Sequence, residues 1–185
     1  MEYFDLYDKN GKQLNKTKLR TEVHRDGDWH ASVDIWILNT QGELLLQRRS
    51  KQKESFPNLW EVSCSGHISA GEDSRSSALR ELQEELGLDI RERELKLLFK
   101  VKDSYITNKG KFINNEHKDV YLVKKDLEIQ HLKLDPTEVS EVKFMKIEDL
   151  KRHIETHDKT FVPHDEGYKK LFEYLATHGK ENKKL

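Results

Sequence analysis

Residues 66–88 read GHISAGEDSRSSALRELQEELGL. From about Ser74 to Leu86 this stretch has the marks of one short helix: Asp73 or Ser74 can cap the first free amides, and Gly87 supplies a left-handed stop. At roughly 100° per residue, Glu81, Glu84 and Glu85 fall within an arc of about 100°, while Leu79, Leu82 and Leu86 cluster on the opposite side. The apolar side packs, and the acidic side faces something else. Carboxylates held that close repel one another, and the repulsion is relieved by water, by protonation of one member, or by a hard divalent cation that takes oxygen ligands. Two adjacent glutamates alone would read as a solvated helix face. Three on one arc, behind a glycine-marked loop, point to a metal site, and magnesium suits it best.

The stretch resembles the Nudix box, G-x5-E-x7-R-E-U-x-E-E-x-G-U with U a bulky aliphatic residue. Gly66, Glu72, Arg80, Glu81, Leu82, Glu84, Glu85, Gly87 and Leu88 fill every defined position. The resemblance implies that Glu81, Glu84 and Glu85 are the principal Mg2+ ligands, with Mn2+ as a substitute, and that the main chain of Ser65 completes the coordination. It also implies that Glu72 and Arg80 form a structural ion pair tying the loop to the helix, with Gly66 and Gly87 shaping its two ends.

Composition narrows the class of partner. The 33 Lys and Arg against 34 Asp and Glu leave a net charge of −1, which gives no global reason to bind nucleic acid or an acidic membrane. No apolar run approaches the roughly 20 residues of a membrane span, and the opening MEYFDLYDKNGKQ lacks the basic-then-apolar order of an export signal. The single cysteine, Cys64, excludes an internal disulfide and fits a reducing compartment, so a cytoplasmic location is expected.

Outward from the box, the chain reads as one domain: an N-terminal hairpin and loop (1–28), a catalytic core (29–160), and a C-terminal helix and tail (161–185). Glu2–Tyr7 and Gln13–Thr17 flank an Asn10-Gly11 turn signal, and the hairpin offers an edge that leaves monomer and homodimer both open. Thr21–Asp28 is polar and reads as a loop leading to Trp29, with His24 and His30 around it. Ala31–Leu38 and Glu43–Arg49 read as two core strands joined by a tight turn, and Trp60–Ser63 as a short strand entering the box. Glu94–Tyr105 and Phe112–Lys124 form a long pair, Val139–Ile147 a further strand, and Glu148–His157 and Asp165–His178 two helices. The tail GKENKKL is expected to fray. A mixed sheet between helices, an α/β/α sandwich with an N-terminal β-hairpin, is the economical architecture, and it is the fold that the Nudix resemblance implies.

A magnesium-loaded carboxylate cluster suits a small-molecule diphosphate, since the metal can bridge phosphate oxygens and lower the pKa of bound water. Hydrolysis of a phosphoanhydride in a nucleoside diphosphate derivative or related organic diphosphate is therefore the expected reaction. The general base is Glu84, Glu85 or a carboxylate from outside the box, and Glu116, before a strand, is the outside choice. Arg48 and Arg49 at a strand end, with Trp29 and His67, are the candidate substrate contacts.

Similarity to isopentenyl-diphosphate isomerases, which share the fold, runs over roughly residues 3–150: His24 and His30 before a strand, LLLQRRS, Lys-x-x-x-Phe-Pro-x-x-Trp at Lys53–Trp60, and Ser65-Gly66-His67. Isomerases place a cysteine immediately before the box glycine, where this chain has Ser65, with Cys64 one residue earlier. Their downstream metal-binding glutamate pair reads Asn114 and Glu116 here. The complete glutamate set of the box favours hydrolysis. For each histidine taken alone, ordinary hydrogen bonding is expected ahead of metal ligation. A third reading is a sensing module that binds diphosphates without turnover, but no box glutamate is missing.

Overall fold

The computed structural model describes residues 1–178, so the tail expected to fray lies outside the described residues. Tyr3–Tyr7 (β1) and Gln13–Leu19 (β2) pair antiparallel around the expected turn, where Asp8 Oδ1 accepts from the amides of Asn10 and Lys12. The next segment corrects the sequence reading. Arg20–Asp26 is a helix (α1), ended by Gly27 in the left-handed region at φ 71. Seven mostly polar residues are too few to show a helical period, and what fixes α1 is tertiary: its Val23 is buried with Phe4 and Leu6 of β1.

Trp29–Leu38 (β3) and Glu43–Arg49 (β4) are the expected core strands, but their mutual ladder is a single pair, Leu38↔Leu44. Both are buried on both faces, and such strands need a partner on each edge. For β4 these are Trp60–Glu61 (β5) and Val139–Lys146 (β9). For β3 they are Cys64–His67 (β6), antiparallel, and Phe112–Lys124 (β8), parallel from Trp29↔Asn115 to Leu38↔Lys124. Lys96–Thr107 (β7) follows β8 antiparallel, completing a mixed sheet of nine strands.

Helices cover both faces. Ser74–Leu86 (α2) sets Ala78, Leu82 and Leu86 against Val33, Ile35 and Ile37 of β3. Ile147–Glu155 (α3) and Asp165–His178 (α4) bring Leu150, Tyr168 and Leu171 against Trp36, Leu44 and Leu46 on the other side. Fully burying each of these leucines is worth roughly 1.5–3 kcal/mol. The second face is not apolar throughout. Along β3 its even positions run His30, Ser32, Asp34, Trp36, Leu38, all buried, so the polar half of one strand face marks where the core stops and a cleft begins.

Candidate active site

Helix α2 is built as the sequence implies. Asp73 caps it by accepting from the amides of Arg75 and Ser76, and Gly87, at φ 66, closes it. The acidic arc is not a solvated face, however. Glu81 is 9% and Glu85 3% exposed, and only the Glu84 side chain, at 57%, reaches solvent. Arg80 ties the loop to the helix: it contacts Glu72 at 3.1 Å, Glu81 at 2.7 Å and Glu84 at 2.9 Å, and donates to the His67 carbonyl at 3.0 Å. Gly66 is needed for space, because a Cβ there would lie 2.0 Å from Cδ of Glu81.

Burial dominates the electrostatics of the pair. It raises Glu81 to about 7 against the pull of Arg80, and Glu85 to about 8 against the pull of Lys53. Glu85 Oε2 is buried without a hydrogen-bond partner. Two buried carboxylates that resist ionisation, one with an orphaned oxygen, form a donor set that an oxygen-seeking divalent cation would complete.

These groups line one side of a cleft of about 520 Å³, together with Ser65 and Gly66. Arg49, Lys53 and Tyr105 also line it. Arg49 is buried and paired with Glu61 at 2.6 Å, and Lys53 is paired with Glu138. Strand alternation separates the two arginines of the sequence reading. Arg48 points away, donating to the Asn58 carbonyl, and is absent from the cleft wall. Trp29 is also outside the cleft, on the face of β3 opposite His30, with its ring 4.8 Å from that of His117. Its placement as a loop residue fails because β3 begins at Trp29 itself.

His67 and Glu116 do meet, with Nε2 3.3 Å from Oε1. Two further histidines join them. His24 from α1, His30 from β3 and His67 from β6 bring ligating nitrogens within 4.8 Å of one another, and His30 Nε2 lies 3.7 Å from Glu116 Oε1. His24 Nδ1 is 2.9 Å from the Arg20 carbonyl and His30 Nδ1 3.1 Å from that of Asp28. A carbonyl only accepts, so each Nδ1 carries the proton and each Nε2 presents a lone pair; both Nε2 atoms are otherwise unpartnered. Desolvation holds all three rings below their ordinary value, His24 at about 4, so they are neutral near pH 7. Glu116 is ionised: burial opposes this, but the Lys118 ammonium and the hydrogen bond from His67 hold it well below the carboxylate range. Asn114, the other half of the downstream pair, is buried with both side-chain polar atoms unpartnered.

The model of the NUDIX domain family matches residues 28–165. The chain belongs to the Nudix hydrolase family. It is 42% identical over 179 residues to Nudix hydrolase 3 of Arabidopsis thaliana, covering 94% of this chain but only 23% of that relative's length. An uncharacterized Nudix hydrolase of Listeria innocua is 37% identical, with 81% of this chain and 83% of the relative covered. An isopentenyl-diphosphate Delta-isomerase of Cereibacter sphaeroides follows at 29%, covering 86% and 84%. A crystal structure from Deinococcus radiodurans superposes with TM-score 0.65 at 25% identity, over 84% of this chain and 90% of that one. The α/β/α sandwich built around β3 and α2 is thus the Nudix fold.

Some cleft residues escaped the sequence reading. Asp34 and Lys118 are buried on β3 and β8, and His164 lies between β5 and α4. For Asp34 a signal exists, a charged residue in a largely apolar strand, whereas Lys118 sits among Asn114, Glu116, His117 and Asp119 and does not stand out. His164 has none, because its place depends on Phe161 bridging Trp60 of β5.

Proposed function

We propose that this Nudix protein is a Mg2+-dependent hydrolase that cleaves a phosphoanhydride linkage in a nucleoside diphosphate derivative or related organic diphosphate. The observation that carries the reading is the buried pair Glu81 and Glu85, reluctant to ionise and with an orphaned oxygen, facing Arg49 and Lys53 across one cleft. Glu81, Glu84, Glu85 and the main chain of Ser65 would hold the cation, for which Mn2+ is a substitute. When bound, it supplies charge neutralisation for the phosphates and a lowered pKa for water.

The chain's own residues do the rest. Arg49 and Lys53 give the cleft its cationic wall, and Arg80 keeps the box carboxylates aimed. Glu116, ionised, accepts the proton of the attacking water as its oxygen bonds to phosphorus and the bridging P–O bond breaks. Glu85 is the alternative base, but one that keeps its own proton unless a cation displaces it. Residues 1–160 with the C-terminal helix act as one catalytic unit on a small molecule. Net charge near zero speaks against a nucleic-acid partner, and the unpaired, buried Cys64 suits a cytoplasmic setting. Among the described residues, no helix is long and apolar enough to cross a membrane.

The histidine cluster with Glu116 supports a second reading, an isomerase-like use of the fold, since neutral imidazoles beside an ionised carboxylate suit a borderline divalent ion. The test is a mass-spectrometric product assay with Mg2+ and a panel of nucleotide derivatives and isopentenyl diphosphate. Phosphoanhydride cleavage, abolished in Glu84→Gln or Glu85→Gln, supports the hydrolase. Isomerised isopentenyl diphosphate without hydrolysis supports the alternative, and binding without any product would make the protein a sensor. Glu116→Gln should lower turnover by roughly 10²–10⁴-fold with little change in substrate binding.

A further inference from the structure

Inward from the box the cleft ends on a floor that the hydrolytic chemistry does not use. β3 contributes Ser32 and Asp34, each 3% exposed, and β8 contributes Lys118, paired in register with Ser32. Lys118 Nζ lies 3.4 Å from Asp34, 3.2 Å from Asp103 and 3.4 Å from Glu116. His164 closes the floor, with Nδ1 2.8 Å from Asp103 and Nε2 3.7 Å from Glu61. Burial and Lys118 oppose protonation of that ring, yet Asp103 and Glu61 raise it to about 9.

On this floor carboxylates outnumber cations. Lys118 and His164 stand against Asp34, Asp103, Glu116 and Glu61, the last also held by Arg49, so no surplus cation remains to attract another phosphate. A hydrocarbon group seated here would desolvate charged side chains and return no hydrogen bond. Two buried atoms want one: Ser32 Oγ has no hydrogen-bond partner, and Asp34 Oδ1 has only its ionic contact with Lys118. A substrate ammonium would meet Lys118 at that same oxygen. A hydroxyl answers both needs, since it donates to a carboxylate and accepts from Ser32.

We propose that Ser32 and Asp34, braced by Lys118 and His164, form a specificity subsite for a hydroxyl-bearing group, of ribosyl or sugar type, attached to the diphosphate. The assignment rests on the hydrolase reading and names the class of substrate. A group that leaves Ser32 and Asp34 unpaired is rejected, because a buried polar atom stripped of water and given no partner is not compensated.

The test compares matched pairs that differ only in the attached group: ADP-ribose against the pentyl ester of ADP, and ribitol 5-diphosphate against isopentenyl diphosphate. The hydroxylated member should show at least tenfold higher kcat/KM, carried by KM. The preference should collapse towards unity in Ser32→Ala and in the isosteric Asp34→Asn, with thermal melts confirming that each is folded. If Asp34→Asn does not fold, Ser32→Ala alone carries the test. Hydrocarbon members cleaved as well as their partners, or a preference unmoved in folded variants, would overturn the subsite while leaving the hydrolase intact. If neither pair is cleaved, the hydrolase reading fails, and calorimetric binding of the same pairs decides the subsite by the same ratio.

Discussion

Glu85 shows how a single side chain can be set against its own fold. Burial lifts its pKa from 4.5 to about 8, so without a cation the native state keeps a proton that the unfolded chain releases above pH 4.5. Over that window the unfolded state binds fewer protons, and Glu85 makes stability fall as pH rises, until the folded carboxyl itself ionises near 8. Glu85→Gln removes this loss. In EDTA its melting temperature should gain on the wild type progressively from pH 5 to pH 8, and Mg2+ should raise the wild-type value and not the variant's. A difference independent of pH would remove the buried-carboxylate account. The motif marks three glutamates but not that two of them are buried, because burial depends on how the fold packs β6 and β3 against α2. Arg48 and Arg49 make the same point. They are indistinguishable as letters, and only strand alternation sends one to the cleft and the other to the Asn58 carbonyl.

At the scale of elements, the box is a joint between β6 and α2, and at Gly66 the Glu81 side chain of α2 lies against the β6 backbone. Any Cβ there enters the volume of the Glu81 side chain, with Cγ at 2.4 Å as well as Cδ at 2.0 Å. Gly66→Ala should therefore displace Glu81 while leaving the apolar side of α2 packed. The expected result is a folded protein whose Mg2+-dependent turnover falls by orders of magnitude and whose Mg2+ affinity falls with it. Full activity at unchanged affinity would show that the joint has slack. The N-terminal hairpin is a second such joint, since the Phe4 ring stacks 5.1 Å from His30 and 4.6 Å from His67. Phe4→Ala should cost about 3–5 kcal/mol, read from a urea melt, because Phe4 is fully buried. The hairpin was legible from its Asn-Gly turn and α2 from its caps. α1 was not, because seven mostly polar residues carry no period and its helical state comes from docking Val23 beneath β1.

For the molecule as a whole, the sheet brings two unlike donor sets near each other: the box carboxylates line the cleft, and a histidine cluster reaches its wall only through His67 and Glu116, with His24 and His30 buried behind. The box offers hard carboxylate oxygens, whereas His24, His30 and His67 with Glu116 offer neutral nitrogens and one anion. The first set lies within 23 contiguous residues and is readable as a motif; the second draws on α1, β3, β6 and β8, spans 93 positions, and exists only after folding. Each histidine alone reads as an ordinary hydrogen-bonding residue, and the convergence of unpartnered Nε2 atoms changes that reading. Softer imidazole ligands select zinc over magnesium, so the two sets should load independently. Equilibrium dialysis against Zn2+ followed by elemental analysis should find one tightly held equivalent in the wild type. His24→Ala should lose it, and Glu85→Gln should retain it while losing Mg2+-dependent turnover. Should Glu85→Gln release the zinc as well, the two sets would be one site, and the histidines would belong to the box's own coordination sphere.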